Sequence, residues 1–346
     1  NSKHKEIDPI WLSRNEQLIE NLRNKNFKAY KINSMPGLWY CCRASIAVIS
    51  HGMIDVNRYA CARLKIVQTW HGIPMKPVLL SDPKQKTIKK RKLLSKLSSI
   101  FPFLKKELDY ENNLLICSSS TYVSTLLKQI FGKNAPLVET GFPRLDGLFQ
   151  PDCQKEVSKE IITYQNQGMN VGIYMPTYRS NGEFDIIDFF ASEINYINEC
   201  LVKNEQVLYL KIHPFDFYKL PKSLNACNIH FINDEQIDSD IYKVLGLFDF
   251  LITDYSSVVF DYLVLTKPVF FLVPDRESYI ESNGAFVFDY EQLNLPVFTT
   301  WVELLAQTSE VQKFLSNELQ SASVLFHQHR DFNNSKRLYN EIIKKL

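Results

Sequence analysis

Glycine is scarce in this chain: there are 11 among 346 residues, and no two form a G-x-G. A dinucleotide fingerprint and a P-loop are therefore excluded, because both need glycine where backbone approaches phosphate. Long apolar runs are missing too, and no stretch reaches the roughly 18 to 20 residues of a spanning helix. Cysteine is present but unpatterned. The seven positions (41, 42, 61, 117, 153, 200 and 227) are odd in number and form no C-x-x-C. They read as buried thiols of a reducing compartment, not as a disulfide frame or zinc site. The opening NSKHKEIDPIW has no apolar signal region and no initiator Met, as expected of a segment from inside a longer chain. Net charge is only +2, so any polyanion partner must be sought in local clusters. Apolar material is ample. At 45% hydrophobic and 13% aromatic, the length supports two domains with separate cores.

Short apolar runs alternate with helical patterns, the mark of parallel α/β sheets covered on both faces. In the first half the strand candidates are Ile10–Leu12, Lys28–Ile32, Ile46–Ser50, Ile66–Thr69, Leu114–Cys117 and Leu137–Thr140. Helices are predicted at Asn15–Asn24 and Thr121–Phe131, the latter stopped by Gly132. The alternation restarts with strands Val171–Met175, Val207–Ile212, His230–Ile232, Phe250–Thr253 and Val269–Val273. Helices are expected at Asp185–Asn204, Ser256–Leu265, Val311–Phe326 and Ser335–Leu346. The break falls near Gln150–Pro151. This pattern predicts two Rossmann-like domains in tandem with a cleft between them.

Ligands of such sheets bind beyond the carboxyl ends of the strands. After Ile66–Thr69 comes Trp70–His71–Gly72–Ile73–Pro74–Met75, which brings an imidazole to a sheet edge. It is either a proton acceptor near neutral pH or a histidine bonded into a tight turn. Leu208–Ile212 likewise ends at His213–Pro214, with Lys211 two residues before the histidine. Such a cation pair suits a diphosphate, though a capping His is the plainer alternative. His51, just past Ile46–Ser50, is a lesser candidate. Phe250–Thr253 runs into Asp254–Tyr255–Ser256–Ser257, where a helix start offers free N–H groups and hydroxyls to phosphate. Asp261 lies one turn after Ser257, placed to accept from a ligand hydroxyl or simply to meet solvent. Pro176–Thr177–Tyr178–Arg179 and Gly141–Phe142–Pro143–Arg144 close two more strands and point their arginines towards the cleft, unless they form surface ion pairs.

Five of these stretches, TWHGIPMK, TGFPRLD, YMPTYR, KIHP and ITDYSSVVFDYLVLTKPVFF, resemble in order and spacing the CDP-glycerol glycerophosphotransferases. The likeness runs from about Val67 to about Asp275. Position 73 is Ile where that family has a small polar Thr, and the segment before Lys65 matches poorly. The resemblance implies a GT-B-like architecture of two facing Rossmann-like domains. Residues 1–150 would take the acceptor and 151–326 the CDP-polyol donor, with a C-terminal helix, 327–346, returning to the first domain. It implies that His71 and His213 are catalytic. Gly72, Ile73, Pro74, Met75, Arg144, Pro176, Thr177, Lys211, Ile212, Ser256, Ser257 and Asp261 would line the donor site. The implied reaction moves glycerol or ribitol phosphate from CDP-glycerol or CDP-ribitol to a hydroxyl of a lipid-linked or growing polymer, in teichoic acid or capsule synthesis. Cationic groups would carry the diphosphate's charge. The protein is thus expected to hold no metal, while free Mg²⁺ can assist.

Lys84 to Lys106 reads KQKTIKKRKLLSKLSSIFPFLKK, nine Lys or Arg with no acid and with interleaved apolar residues. Lys89, Lys90, Arg91 and Lys92 at its centre are expected to face an anionic membrane surface, the inner leaflet of a bacterial cell, with the protein peripheral on its cytoplasmic side. A solvated connection between helices is the alternative. No nucleic-acid motif accompanies the charge, so no nucleic-acid partner is expected. Two other functions fit the same architecture: a GT-B sugar transferase or epimerase using a UDP-sugar, and a polymer-binding module without catalysis.

Overall fold

The computed structural model describes residues 7–57, 60, 64–75, 113–179, 184–212, 226–238, 240–308 and 317–345. Every strand pairing in it is parallel. Strands β1 (Ile10–Ser13) and β2 (Lys28–Lys31) form a small separate ribbon. Strands β3 (Ile46–Ile49), β4 (Lys65–Gln68), β5 (Asn113–Ser118) and β6 (Leu137–Glu139) lie side by side in sequence order. The larger sheet has the order β12-β11-β10-β7-β8-β9. It is built from β7 (Asn170–Met175), β8 (Gln206–Leu210), β9 (Ile229–Phe231), β10 (Phe250–Thr253), β11 (Val269–Leu272) and β12 (Val297–Phe298). The chain winds outward from β7 to β9, then crosses back to β10 and winds the other way. Strand order therefore reverses between β7 and β10, and such a switch point opens a crevice beyond the strand ends.

Burial explains the apolar runs. All residues of β8, β10 and β11 are buried, because helices cover both faces of the large sheet. One face packs Tyr174, Phe190, Leu208 and Trp301 against helices Ile186–Ser192 and Trp301–Thr308. The other face belongs to a larger cluster that also includes Val67, Leu115, Ile130, Phe142, Phe260 and Phe326, and so runs through both main sheets. A third, smaller cluster (Cys41, Ala47, Ile49, Leu64, Ile66) covers the far side of the four-stranded sheet.

Several elements depart from their expected form. The stretch 185–204 is two helices, Ile186–Ser192 and Ile194–Lys203, parted at Glu193 (φ −109°, ψ 9°). Ser256 and Ser257 precede a short helix, Val258–Tyr262, which tightens into a 3₁₀ turn at Leu263–Leu265 and stops where Thr266 enters the left-handed region. Strand β12, two residues long, is too short for periodicity to mark. Cysteines are less hidden than their apolar character implied. Cys41 and Cys117 are buried, but Cys42, Cys153 and Cys227 are exposed, Cys42 because it faces outward on helix Met35–Arg43. The Val311–Phe326 helix is described only from Asn317, and no described helix is long and apolar enough to cross a membrane.

The last helix, Asn334–Lys344, is fixed from outside. Asp146, on the segment after β6, accepts from Asn334 N and Ser335 N at 2.9 Å each, which caps the helix start with a negative charge. Arg337 donates to Thr140 O at 2.9 Å.

His327 lies just past helix Asn317–Phe326 and is buried at 2% exposure. Its Nε2–H donates to Phe260 O at 2.6 Å, and among the described residues nothing bonds Nδ1. Protonation would place a charged N–H where no acceptor stands, so burial pushes the imidazole down to about 4. The unfolded chain then takes up the proton first. Stability is complete above about pH 6.5 and falls by on the order of 3 kcal/mol as pH drops to about 4. Urea denaturation across this range should show that loss, and His327→Gln, which keeps a donor but cannot titrate, should flatten the slope.

Candidate functional site

The described strand ends meet around a cleft of about 550 Å³. Trp70–Met75 follows β4 and forms one wall. Opposite lie Met175–Tyr178 after β7, Lys211 and Ile212 after β8, Asp234, Ile237 and Ile241 after β9, and Tyr255–Ser257 after β10. The switch point between β7 and β10 is therefore the floor. The two walls nearly touch at one place: a Cβ on Gly72 would stand 2.6 Å from Ser257 Oγ, so a larger residue there would have to turn the Ser257 hydroxyl aside.

His71 is aimed by its neighbours. Trp70 adopts φ 58°, a left-handed geometry costly for a bulky residue. It is held there by burial against Phe131 and by the bond from Trp70 N to Gln68 Oε1 at 2.9 Å. The kink turns the next side chain outward. His71 Nδ1 lies 3.2 Å from Ser50 O, and a carbonyl only accepts, so Nδ1 carries the proton and Nε2 keeps its lone pair. Burial is the main force lowering its affinity for a second proton, and the nearby His51 and Arg144 add to it. His71 is thus a neutral imidazole at pH 7.

Across the cleft, Lys211 Nζ pairs with Asp234 Oδ1 at 2.9 Å. Asp234 is the only carboxylate among the cleft's described walls, and it was not anticipated from sequence. The same strand-end rule applied to Ile229–Phe231 would have flagged it. Thr177 lines the cleft, but its Oγ1 and its backbone N both donate to Asp254 Oδ1, at 2.6 and 2.8 Å. Ser256 and Ser257 reach the cleft, as do Pro176, Ile212 and the whole Gly72–Met75 loop.

Three predicted residues are placed elsewhere. Arg179 points into the protein, bidentate to Asp275 at 2.8 and 3.0 Å and paired with Asp254 at 2.8 Å. Arg144 and Asp261 bind each other through two bonds of 2.7 and 2.9 Å, and Arg144 also donates to Trp70 O at 3.3 Å. Tyr242 donates its hydroxyl to the same Asp261 carboxylate, which is 1% exposed. Neither Arg144 nor Asp261 is among the cleft's described walls: a partly buried guanidinium, 17% exposed, and a buried carboxylate already satisfy each other. His213 and the segment 84–106, with Lys89, Lys90, Arg91 and Lys92, lie outside the described residues.

Taken together these features define an α/β protein of parallel sheets with a ligand cleft at a strand-order switch. The particular family is shown by comparison. The chain belongs to the CDP-glycerol:poly(glycerophosphate) glycerophosphotransferases, whose family model matches residues 1–344. That match extends well before Lys65, where the motifs alone had shown little. Among its relatives is a teichoic acid poly(glycerol phosphate) polymerase of Bacillus spizizenii, 27% identical over 82% of this chain and 70% of that protein. A teichoic acid glycerol-phosphate transferase of Staphylococcus aureus is 26% identical over 78% of this chain and 68% of that protein. The chain spans only 37% of a similarly named polymerase of Staphylococcus epidermidis. In structure it resembles the wall teichoic acid polymerase TagF, with a TM-score of 0.71 at 20% identity over 96% of this chain and 80% of that one. A UDP-GlcNAc 2-epimerase from Neisseria meningitidis shares the fold more distantly, with a TM-score of 0.54 at 10% identity, over 99% of this chain and 93% of that one.

The Arg144–Asp261 pair makes a direct test possible. Arg144→Met should strand a buried carboxylate and cost about 3–5 kcal/mol, whereas Arg144→Met with Asp261→Leu should cost much less. Equilibrium urea unfolding of the two variants reads the difference.

Proposed function

We propose that this chain transfers a polyol phosphate, glycerol- or ribitol-phosphate, from a CDP-activated donor to a hydroxyl of a lipid-linked or growing polymer and releases CMP. In this reading the protein has a GT-B-like arrangement. Residues 1–150 take the acceptor, 151–326 hold the donor, and 327–346 return to the first unit. The observation that carries it is His71, neutral and with no partner on Nε2 among the described residues, across a cleft from Lys211, Ser256 and Ser257.

The chemistry follows. Nε2 of His71 takes the proton of the acceptor hydroxyl as its oxygen attacks the polyol-bearing phosphorus in line. The bond from that phosphorus to the bridging oxygen breaks, and its electron pair leaves with CMP. Lys211 and His213 offset the charge that grows on the diphosphate, and the Ser256 and Ser257 hydroxyls donate to its oxygens. Arg144 and Asp261 serve this site by supporting the Trp70–His71 turn rather than by touching donor. No metal bound by protein is assigned, and free Mg²⁺ can assist the diphosphate. The role is placed in teichoic acid or capsule synthesis on the cytoplasmic face of the membrane, with Lys89, Lys90, Arg91 and Lys92 against the inner leaflet.

CMP release from a panel of CDP-polyols, with and without lipid-linked acceptor, tests the activity, and melting shifts with CDP against UDP test the nucleotide. His71→Ala should abolish CMP release yet leave donor affinity within about threefold, since a base acts on the acceptor. Collapse of donor affinity would make His71 a binding residue. Ser256→Ala with Ser257→Ala should do the reverse, weakening donor binding while part of the rate survives. For the membrane, Lys89, Lys90, Arg91 and Lys92 replaced by Gln should no longer float with anionic liposomes, each cation contributing about 1 kcal/mol. Turnover on a short soluble acceptor should persist. Equal loss on soluble and lipid-linked acceptors, with flotation intact, would place the segment in the active-site wall.

A further inference from the structure

His71 is not the only imidazole at the mouth of the cleft. His51 lies against it face to face, with ring centroids 4.5 Å apart and planes 4° from parallel. His51 is not among the cleft's described walls; its side chain is 61% exposed and lies 3.8 Å from Asp55 Oδ1. Its backbone is nonetheless tightly held. Asp55 Oδ2 accepts from Ser50 N at 2.7 Å and from His51 N at 2.9 Å, closing the turn after β3. Ser50 then serves both rings: its hydroxyl lies 2.9 Å from His51 Nδ1, and its carbonyl accepts from His71 Nδ1.

We propose that His51 is a positioning residue for His71, holding the imidazole in the plane that presents Nε2 to the acceptor hydroxyl. This rests on the assignment of His71 as the base. Stacking restricts rotation of the His71 ring, while the Ser50 carbonyl fixes which nitrogen carries the proton. A small misalignment of a reacting group is costly, so the loss should appear in turnover and not in donor binding. His51 also acts by charge. Among the described residues, the titratable and charged groups that bear on His71 are His51, Arg144 and Asp55. The first two disfavour its protonation and the third favours it. Two parallel imidazoles cannot both ionise without mutual repulsion, so removing His51 makes His71 easier to protonate.

The test is steady-state CMP release by the intact protein from about pH 5 to about pH 9, spanning the imidazole range. His51→Ala should lower kcat roughly tenfold with donor KM within about twofold, and should move the acid limb of the rate profile to higher pH. His51→Phe, which restores a ring over His71 without a charge, should recover most of kcat on the plateau while keeping the displaced limb. A His51→Ala enzyme with wild-type kcat and an unmoved limb overturns the proposal. So does a His51→Phe enzyme that folds with an unchanged melting temperature yet is as slow as His51→Ala. If His71→Ala itself retains CMP release, the base assignment falls. If His71→Ala is inactive while His51→Ala matches wild type, only the positioning role falls.

Discussion

One buried carboxylate organises the cleft. Asp254 stands at the end of β10 with no exposure to solvent. Left unpaired, a carboxylate there would be strongly destabilising. Its Oδ1 accepts from Thr177 N and Oγ1 and from Tyr255 N at 2.6 Å, and its Oδ2 is balanced by the charge of Arg179 at 2.8 Å. Those partners come from the loops after β7 and β10, the two strands between which the sheet reverses its order. Arg179 extends the network to Asp275 beyond β11, and Tyr255 OH donates to the same Asp275 at 3.1 Å. The need to neutralise one charge thus sets the backbone of three strand-end loops. A cleft floor built this way is rigid before any ligand enters.

A second buried pair works across the molecule. Arg144 belongs to the segment after β6, and Asp261 to the helix after β10. Arg144 also supports the carbonyl of Trp70, whose left-handed backbone presents His71. The route from the pair to the candidate base is one residue long. Its contribution is geometric, and the cation among the cleft's described walls is Lys211, which already has Asp234 as a counter-charge.

Much of this was legible beforehand, for identifiable reasons. Parallel strands buried on both faces are continuous apolar runs, so β7, β8, β10 and β11 stand out, and the residues that follow them become candidates by position alone. Ser256 and Ser257 after β10, and Gly72 after β4, were found by their place at strand ends and do face the cleft. Side-chain pairing at long range was not legible. Arg144 and Asp261 are 117 residues apart, and each alone has the chemistry of a ligand contact. Only the fold shows that they satisfy each other. Arg179 misled for the same reason, since a guanidinium at a strand end reads identically whether it faces a phosphate or a buried Asp. The stack of His51 on His71 was equally hidden, because the two follow neighbouring strands, β3 and β4, that meet only in three dimensions.

The apolar cluster that joins the two main sheets has a bearing on modularity. Val67, Leu115 and Phe142 pack in the same continuous core as Tyr255, Phe260 and Leu263. A Cβ on Gly246 would come within 1.9 Å of Leu148 O, so backbone from the two halves is in direct contact. Each half has a cluster of its own, but the largest core is shared between them. The chain should accordingly lose structure as one cooperative unit, and a cut at Gln150–Pro151 should release two fragments that are sticky rather than two autonomous modules.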